Sequence, residues 1–249
     1  MLVETIDTGM ASGPLRFGQP GQEGREFLSL LLESGIGTVE RRYERGELVF
    51  GKGEPANALY VVAEGAVKLC RTYSEGKEAT LVLLGPFEVF GELTFSRIAH
   101  QHARAEALTA CRVRKVPKVF VERVVKTRPE VALKVVDLLW LDLARHREMA
   151  GCLLPRKAET KLANLLPILA RRFGGEDGAG SVIRLRLTQE ELAKMISCTR
   201  ESVALALADF RRRGMLAVAS ARDSASTPCK TRACATSTTT TSTGGSTST

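Results

Sequence analysis

The apolar positions of the chain change their period twice, and these changes divide it into three parts. Between residues 39 and 116, short apolar runs alternate with turns that contain glycine, which predicts an antiparallel β-barrel or jelly roll. The expected strands span residues 47–50, 59–62, 66–69, 80–84, 89–90 and 111–116. Short helices are expected on either side, over residues 26–34 and 119–126.

A long helix is predicted from Pro129 to Leu154, because proline suits the first turn and Pro155 ends the helix. Its positions with a four-three spacing extend over about three heptads, which is typical of a seam between two helices. They are Ala132, Val136, Leu139, Leu143, His146, Ala150 and Leu153. A second apolar face is expected to lie against the β-domain. Its members are Val135, Leu138 and Leu141. The seam therefore predicts a second copy of the chain, and a single buried helix in a monomer is the alternative.

Two short helices joined by a tight turn are predicted over residues 187–214. Thr188 can cap the first helix, with Glu191 closing a capping box, and Thr199 can cap the second. The inner face consists of Leu192, Met195, Ile196, Val203, Ala206, Leu207 and Phe210. Residues 199–202 are consequently left exposed. The elements expected before this pair are a helix over 157–173 that Pro167 should kink, a loop over 174–180 and a strand over 182–187.

This pair of helices has the pattern of a helix-turn-helix, whose second helix enters the major groove of DNA. An arginine there can pair with guanine and a glutamate can accept a hydrogen bond from cytosine, which fits Arg200 and Glu201. An ordinary αα-hairpin with a charged surface is the alternative. A strand over residues 215–218 would begin a wing after the second helix.

The charge of the chain favours an anionic partner, with nucleic acid first. The 249 residues carry a formal net charge of +8, and 44% are hydrophobic and 26% charged, as in soluble globular proteins. No apolar run is long enough to span a bilayer, and the first residues lack the pattern of a secretory signal. We therefore expect a cytoplasmic protein with no membrane partner, in which the six cysteines are reduced thiols.

The sequence gives little support for metal binding or for catalysis. His100, His102 and Cys111 could suggest a metal or haem, but they lack ligand spacing, so no metal site is predicted. The chain contains no G-x-S-x-G, P-loop or H-E-x-x-H motif, and we predict no catalytic residues and no enzymatic activity.

Both ends of the chain differ in composition from its middle. Residues 1–24 are rich in glycine and polar residues and are expected to form a flexible arm. Residues 221–249 are rich in serine and threonine and should be disordered. Because this change falls in the middle of the wing, we hypothesise a shifted reading frame after about Ser220. A genuine extension is the alternative.

Five short stretches, in this order and spacing, carry a resemblance to a known family. They are Gly53–Glu54–Pro55–Ala56, Leu59–Tyr60, Gly65–Ala66–Val67–Lys68–Leu69, Phe90–Gly91–Glu92–Leu93 and Cys198–Thr199–Arg200–Glu201–Ser202–Val203. Together they resemble the cyclic-AMP receptor protein / fumarate-nitrate regulator (CRP/FNR) family of bacterial transcription regulators. The resemblance implies an α+β fold with a cyclic-nucleotide-binding-like β-roll over 25–128, a dimerisation helix over 129–154 and a winged helix-turn-helix over 155–220.

The resemblance also implies which residues touch DNA. Arg200 and Glu201 stand where the family reads base edges, and Thr188 and Thr199 stand where it touches phosphate. Their neighbours Gln189 and Ser202 complete the predicted set. The receptor branch carries a further base-reading arginine one turn later, where this chain has Leu205. We therefore expect a different half-site, in an operator that is still palindromic.

The effector is less defined by the resemblance. The start of the family's effector cassette is matched by Gly91, Glu92 and Leu93, but the Arg-Ser pair that holds a cyclic phosphate is replaced by Gln101 and His102. This replacement argues against cyclic AMP, since a buried phosphate needs a fixed cation.

Further candidates for a small anionic effector are Arg104 nearby and, on the long helix, His146 and Arg147. His146 as a polar seam residue and Arg147 in solvent form the alternative. Where members that sense 2-oxoglutarate carry an arginine, this chain has Asp142.

The sequence thus predicts a homodimeric, effector-responsive regulator that binds a palindromic operator in double-stranded DNA. The resemblance adds RNA polymerase as a partner. The alternative is a ligand-binding sensor that acts through protein contacts, with DNA binding impaired because the wing is lost.

Overall fold

The computed structural model describes residues 2–6, 21–35, 37–73, 76–91, 94, 98–177 and 180–219. In chain order the elements are β1 (Leu2–Ile6), α1 (Gln22–Glu33), β2 (Val39–Tyr43), β3 (Leu48–Phe50), β4 (Ala58–Glu64), β5 (Val67–Thr72), β6 (Glu78–Leu84), β7 (Val89–Phe90), β8 (Arg104–Ala107), β9 (Cys111–Pro117), α2 (Lys118–Thr127), α3 (Pro129–Leu153), α4 (Ala158–Phe173), β10 (Gly174–Asp177), β11 (Gly180–Ile183), α5 (Gln189–Ile196), α6 (Arg200–Arg212) and β12 (Leu216–Ala219).

Two antiparallel four-stranded sheets form the predicted β-roll. Their strand orders are β2-β9-β4-β7 and β3-β8-β5-β6. The rings of Phe50, Tyr60 and Phe90 meet inside, with centroids 5.1 to 5.9 Å apart. Large buried aromatic rings contribute strongly to such a core because each removes much apolar surface from water.

The sequence pattern missed two strands of the roll, β2 and β8, because both are rich in charged residues. In β2 four of the five side chains are exposed. Their charges are paired across the sheet instead: Glu40 lies 2.7 Å from Arg114 and 3.3 Å from Arg112 of β9. Cross-strand ion pairs therefore replace the apolar alternation by which a strand is usually found.

The long helix α3 packs on one side against α1, α2 and the roll. A cluster of buried apolar residues joins these elements, and Val135 and Leu138 of α3 pack against it, as the second apolar face predicted. The cluster consists of Phe27, Leu31, Leu59, Val116, Val121, Val124 and Val131. The opposite side of α3 is exposed.

Helices α4, α5 and α6 form the C-terminal core together with residues of the β-roll. Ala66, Leu83 and Leu108 of the roll belong to the same buried cluster as Leu162 of α4 and Phe210 of α6. The β-roll and the helix-turn-helix part therefore share an apolar contact. Helix α4 continues through Pro167.

Two expectations for the segment before α5 differ from the structure. The stretch expected to be a loop is a hairpin of β10 and β11, and the strand expected to reach residue 187 ends at Ile183. Leu185 and Leu187 are buried, but the backbone leaves the sheet here because Thr188 already begins the cap of α5. Leu185 and Leu187 therefore anchor this segment in the C-terminal core instead of pairing as part of a strand.

The N-terminal residues also differ from the expected flexible arm. Leu2–Ile6 form a strand in a third sheet with the order β10-β11-β1-β12. The predicted tail over residues 221–249 and the position of the proposed frame shift lie outside the described residues. In the described part of the chain, no helix combines the length and apolar character needed to cross a membrane.

Candidate nucleic-acid interface and effector site

The helix-turn-helix is fixed by local hydrogen bonds that the sequence predicts. The hydroxyl of Thr188 accepts from the backbone N–H of Glu191 at 3.1 Å, and the Glu191 carboxylate accepts from the N–H of Thr188 at 2.6 Å. Ser197 takes a left-handed conformation, with φ 52°, where the chain turns toward α6. The two helices pack through buried residues of both, so the turn sets the angle of α6.

The first turn of α6 presents Thr199, Arg200 and Glu201 to solvent, whereas Ser202, also expected to be exposed, is half-buried. Thr199 accepts from the N–H of Ser202 at 3.2 Å and caps the helix. Arg200 and Glu201 are exposed, while Val203 beneath them is fully buried. Backbone hydrogen bonding at Glu201 and the Thr199 hydroxyl lower the pKa of the Glu201 carboxyl. At neutral pH this turn therefore offers a guanidinium donor beside an ionised carboxylate acceptor.

The arginines at the other end of α6 have partners within the protein. Asp209 pairs with both Arg212 and Arg213, and Arg213 also lies 3.3 Å from Glu159 of α4. Cations at a helix C-terminus are favoured by the helix dipole. These contacts support a structural role for Arg212 and Arg213.

Helix α5 is attached to the β-roll by ion pairs. The Nζ atom of Lys194 lies 3.1 Å from the carboxylate of Glu78 in β6, and Arg104 lies 2.6 Å from the same carboxylate. Burial alone would raise the pKa of Glu78, but the Lys194 hydrogen bond and the charges of Arg104 and Lys194 outweigh it, so the pKa is lowered. Arg45 adds a contact to Glu191 at 3.3 Å.

An open cleft separates the start of α6 from the β-roll and α3. It is bordered by β6, the C-terminal half of α3 and the facing ends of α5 and α6, and its volume is about 1190 Å³. His146, Lys194 and Arg200 line it. The first turn of α6 therefore faces open space, not the protein interior.

A buried ionic cluster connects three parts of the molecule. The side chain of Glu88, between β6 and β7, is only 2% exposed and lies 2.9 Å from both Arg145 of α3 and Arg172 of α4. Its carboxylate also accepts from the N–H of Gly85 at 2.7 Å. The sequence did not single out these residues, because Glu88 is separated from both arginines by more than fifty positions along the chain and no local pattern links them.

The predicted effector residues lie in different environments. Gly91 is buried with φ 85°, and a Cβ there would lie 2.8 Å from the Ala58 carbonyl oxygen, which only glycine avoids. Glu92 and Leu93 lie outside the described residues. Gln101 is 5% exposed, and in the described part of the chain its Nε2 atom has no hydrogen-bond partner. The same holds for the buried hydroxyl of Thr94.

The other predicted effector residues are exposed or paired. His102 is exposed, and Arg104 is held by Glu78 and, at 3.1 Å, by Glu106. On α3, the His146 ring lies 2.9 Å from the Asp142 carbonyl oxygen. The Arg147 guanidinium lies over the ring of Trp140, at 5.5 Å. His146 and Arg147 thus lie on the exposed side of α3, and the cleft that His146 lines does not include Gln101.

The described residues contain no cluster of metal-ligating side chains, and the cysteines among them are free. Burial raises the pKa of Cys70, Cys111 and Cys152 to about 11. These three thiols are therefore protonated at neutral pH and behave as small apolar core residues.

Comparison with known proteins identifies both the β-roll and the helix-turn-helix. Residues 40–128 match the cyclic nucleotide-binding domain family, and residues 160–223 match the Crp-like helix-turn-helix domain family. A CRP-like cAMP-activated global transcriptional regulator of Mycobacterium tuberculosis is 32% identical over 174 residues, which cover 70% of this chain and 78% of the relative. A global nitrogen regulator of Synechococcus elongatus is 32% identical over 77% of this chain and 89% of its own.

A solved structure supports the same assignment. A transcriptional regulator of the CRP family from Thermus thermophilus superposes with a TM-score of 0.61 at 28% identity, over 72% of this chain and 88% of that chain. The fold predicted from the sequence, a β-roll followed by a long helix and a C-terminal helix-turn-helix, is confirmed. The chain belongs to the CRP/FNR family of bacterial transcription regulators, which are DNA-binding regulators and not enzymes.

Proposed function

We propose that the protein is a homodimeric, effector-responsive regulator that reads a palindromic operator with the first turn of α6. The observation that carries this proposal is the exposed pair Arg200 and Glu201 on a capped helix start. A guanidinium fork can donate to guanine O6 and N7, and a carboxylate can accept from cytosine N4. Because the helix N-terminus also attracts anions, Thr199 and Ser202 suit a phosphate contact.

The start of α5 offers a second set of backbone contacts. Thr188 is exposed and Gln189 half-buried at the capped end of this helix. Contacts of these side chains to phosphate would fix the register of the protein on the duplex, while Arg200 and Glu201 specify the sequence.

Homodimerisation is proposed from the exposed apolar stripe of α3. Val136, Leu139 and Leu143 lie on the predicted seam and are 60%, 41% and 42% exposed. A stripe of this kind on a folded chain marks an interaction surface. Two copies of α3 packed along it give a twofold dimer, whose recognition helices would enter major grooves one helical turn, about 34 Å, apart.

The effector site is proposed to lie in the β-roll near Gly91 and Gln101. The buried Gln101 amide and Thr94 hydroxyl support it, because each unsatisfied buried group costs about 1–3 kcal/mol that a ligand could recover. The relative from Mycobacterium tuberculosis is named as activated by cAMP, which makes cAMP the first ligand to test. A phosphate held by Arg104 would compete with the pairs that Arg104 makes to Glu78 and Glu106.

On this proposal, effector binding shifts the equilibrium between two placements of the DNA-binding part. The ion pairs of Glu78 and Glu88 join the β-roll to α3 and to the DNA-binding part, and they would transmit such a shift. The operator-bound dimer would then act on RNA polymerase in the cytoplasm.

A gel-shift titration at several salt concentrations tests the DNA assignment, with operators selected from random duplexes by the unmutated protein. Arg200→Ala should weaken binding to the selected operator about 10- to 100-fold and leave weak, salt-sensitive binding to random duplex. Arg123→Ala on the exposed side of α2 is the matched control and should change neither. Equal loss on both duplexes, or no loss, contradicts the role of Arg200.

Thermal-shift measurements with cAMP, cGMP, 2-oxoglutarate and haem test the effector site, since a ligand that binds the folded state raises the Tm. Gln101→Leu should abolish the rise in Tm caused by whichever of these ligands binds. Gln22→Leu on the exposed face of α1 is the matched control. A ligand whose shift survives Gln101→Leu does not use this site.

A further inference from the structure

The strand β12, which follows the recognition helix, is held in its sheet by the opposite end of the chain. In the described part of the protein β12 pairs with β1 and with no other strand. Leu2 lies opposite Ala219, Val3 opposite Val218 and Glu4 opposite Ala217. The other edge of β1 pairs with β11, where Val3 lies opposite Ile183.

In the folded structure β1 lies between β11 and β12, and its removal would leave a gap between them. Adjacent strands lie about 4.8 Å apart, so β11 and β12 are about 10 Å apart across the position of β1. Each would then present a row of backbone N–H and C=O groups to a gap one strand wide. Such edges bind another extended strand readily.

The strand β12 has little else to hold it. It is four residues long, Leu216 is its one residue in the C-terminal core among those whose side chains are described, and Ala217 is exposed. Gly214, with φ 71°, and the hydrogen bond from the N–H of Met215 to the Phe210 carbonyl bring the chain back from α6. These contacts fix the start of β12, but a strand this short is not stable without a partner.

We propose that residues 2–6 are an integral strand of the DNA-binding part, and that the slot between β11 and β12 is a strand-binding site which the N-terminus fills. A winged helix normally obtains this strand from a hairpin after the recognition helix. Here the strand comes from the N-terminal end of the chain. This inference concerns the sheet itself and does not depend on which DNA or effector the protein binds.

The same strand also links the two parts of the molecule. The chain that leaves β1 continues into α1, which packs through Phe27 and Leu31 against the cluster that includes α3 and the β-roll. The N-terminal segment is therefore a second covalent connection between effector and DNA-binding parts, besides residues 154–157. Any movement of α6 away from the roll must move β1 or pull it out of its slot.

Amide hydrogen exchange on the full-length protein tests the proposal without a mutation. The amides of residues 3–6 that bond to β12 should be protected to the same degree as the amides of 216–219 that bond to β1, because the two strands open together. Exchange of residues 3–6 at the rate of an unfolded chain overturns the proposal.

Two variants extend the test. Deletion of residues 2–6 and Val3→Pro, which removes a ladder N–H from a central strand, should each make the amides of residues 216–219 exchange at least about tenfold faster. Protection in β4 and β9 of the roll should not change, which shows that the variants remain folded. Val3→Thr keeps the N–H and a β-branched side chain and serves as the control. Unchanged exchange at 216–219 in both variants contradicts the proposal.

A peptide with the sequence of residues 1–7 provides a third test. Added at millimolar concentration to the deletion variant, it should restore protection at 216–219. The full-length protein, whose slot is filled, should not bind it. Failure of the peptide to bind the deletion variant, while β12 has lost its protection, rejects a preformed strand-binding slot. None of these readouts involves DNA, so they stay informative if the proposed operator recognition is wrong.

Discussion

The carboxylate of Glu88 lies 2.9 Å from the guanidinium of Arg172, and both side chains are largely buried, at 2% and 13% exposure. Arg145 approaches the same carboxylate from α3. One anion thus holds together the turn before β7, the long helix and the first helix of the DNA-binding part. Removal of the charge leaves two guanidinium groups facing each other in a poorly hydrated site.

Glu88→Gln is therefore expected to lower the free energy of unfolding by about 3 kcal/mol, since breaking a buried ion pair leaves an uncompensated charge. Urea denaturation followed by circular dichroism measures the change. Glu44→Gln is the matched control: its pair with Arg42 is exposed, and such pairs contribute less than about 1 kcal/mol. A loss for Glu88→Gln no larger than that of the control would show that the cluster is not a structural anchor.

The attachment of α5 to the β-roll should weaken in acid. The pKa of Glu78 is lowered because, although burial raises it, the hydrogen bond from Lys194, the charges of Arg104 and Lys194, and a contact with Cys70 lower it more. A carboxyl whose folded pKa is depressed contributes stability above its unfolded pKa and loses it as the pH falls through the folded value. The contribution of Glu78 to the Tm should consequently be constant above the ordinary pKa of glutamate, about 4.3, and should decrease as the pH falls below it.

Glu78→Gln removes this ionisation and should reduce the acid-dependent fall in Tm. Glu122→Gln, whose partner Lys118 lies 3.7 Å away on the same helix, is the control and should keep the full pH dependence. If Glu78→Gln and the unmutated protein lose Tm in parallel, Glu78 does not couple the two parts.

Leu205 gives a prediction about sequence preference. It is 74% exposed on α6, one turn beyond Glu201, where the receptor branch of the family carries a base-reading arginine. Leu205→Arg should therefore add a preference for guanine at one position of each half-site, worth about 1–3 kcal/mol. Selection of operators from random duplexes by both proteins reveals the difference. Ala208→Arg, at an exposed position farther along α6, is the control and should leave the selected sequence unchanged.

Val136 tests the seam of α3 with a matched control on α2. Val136 and Val119 are both 60% exposed, but Val136 lies on the predicted seam and Val119 does not. A glutamate in an apolar helix–helix seam must be desolvated, so Val136→Glu should convert the proposed dimer to monomer. Val119→Glu should leave the dimer intact. Sedimentation equilibrium distinguishes the two states, and a dimer that survives Val136→Glu would place the interface elsewhere.

Local spacing along the chain was enough to predict the elements whose contacts are local. Thr188 and Glu191 lie three residues apart, so their capping box follows from a short motif, and the buried face of α6 follows from a helical period. The heptad positions of α3 likewise identify its exposed stripe from their spacing. In each case the pattern lies within a single helix, where spacing along the chain fixes which residues share a face.

Contacts between residues far apart in the chain emerged only from the packing of the folded molecule. Glu88 meets Arg172, Glu78 meets Lys194, and β1 lies beside β12, although none of these pairs shares a local pattern. The charged strands β2 and β8 were missed for the same reason, since ion pairs to neighbouring strands stabilise them. Packing brings such groups together because it buries apolar surface, and only then do desolvation and charge determine which of them pair.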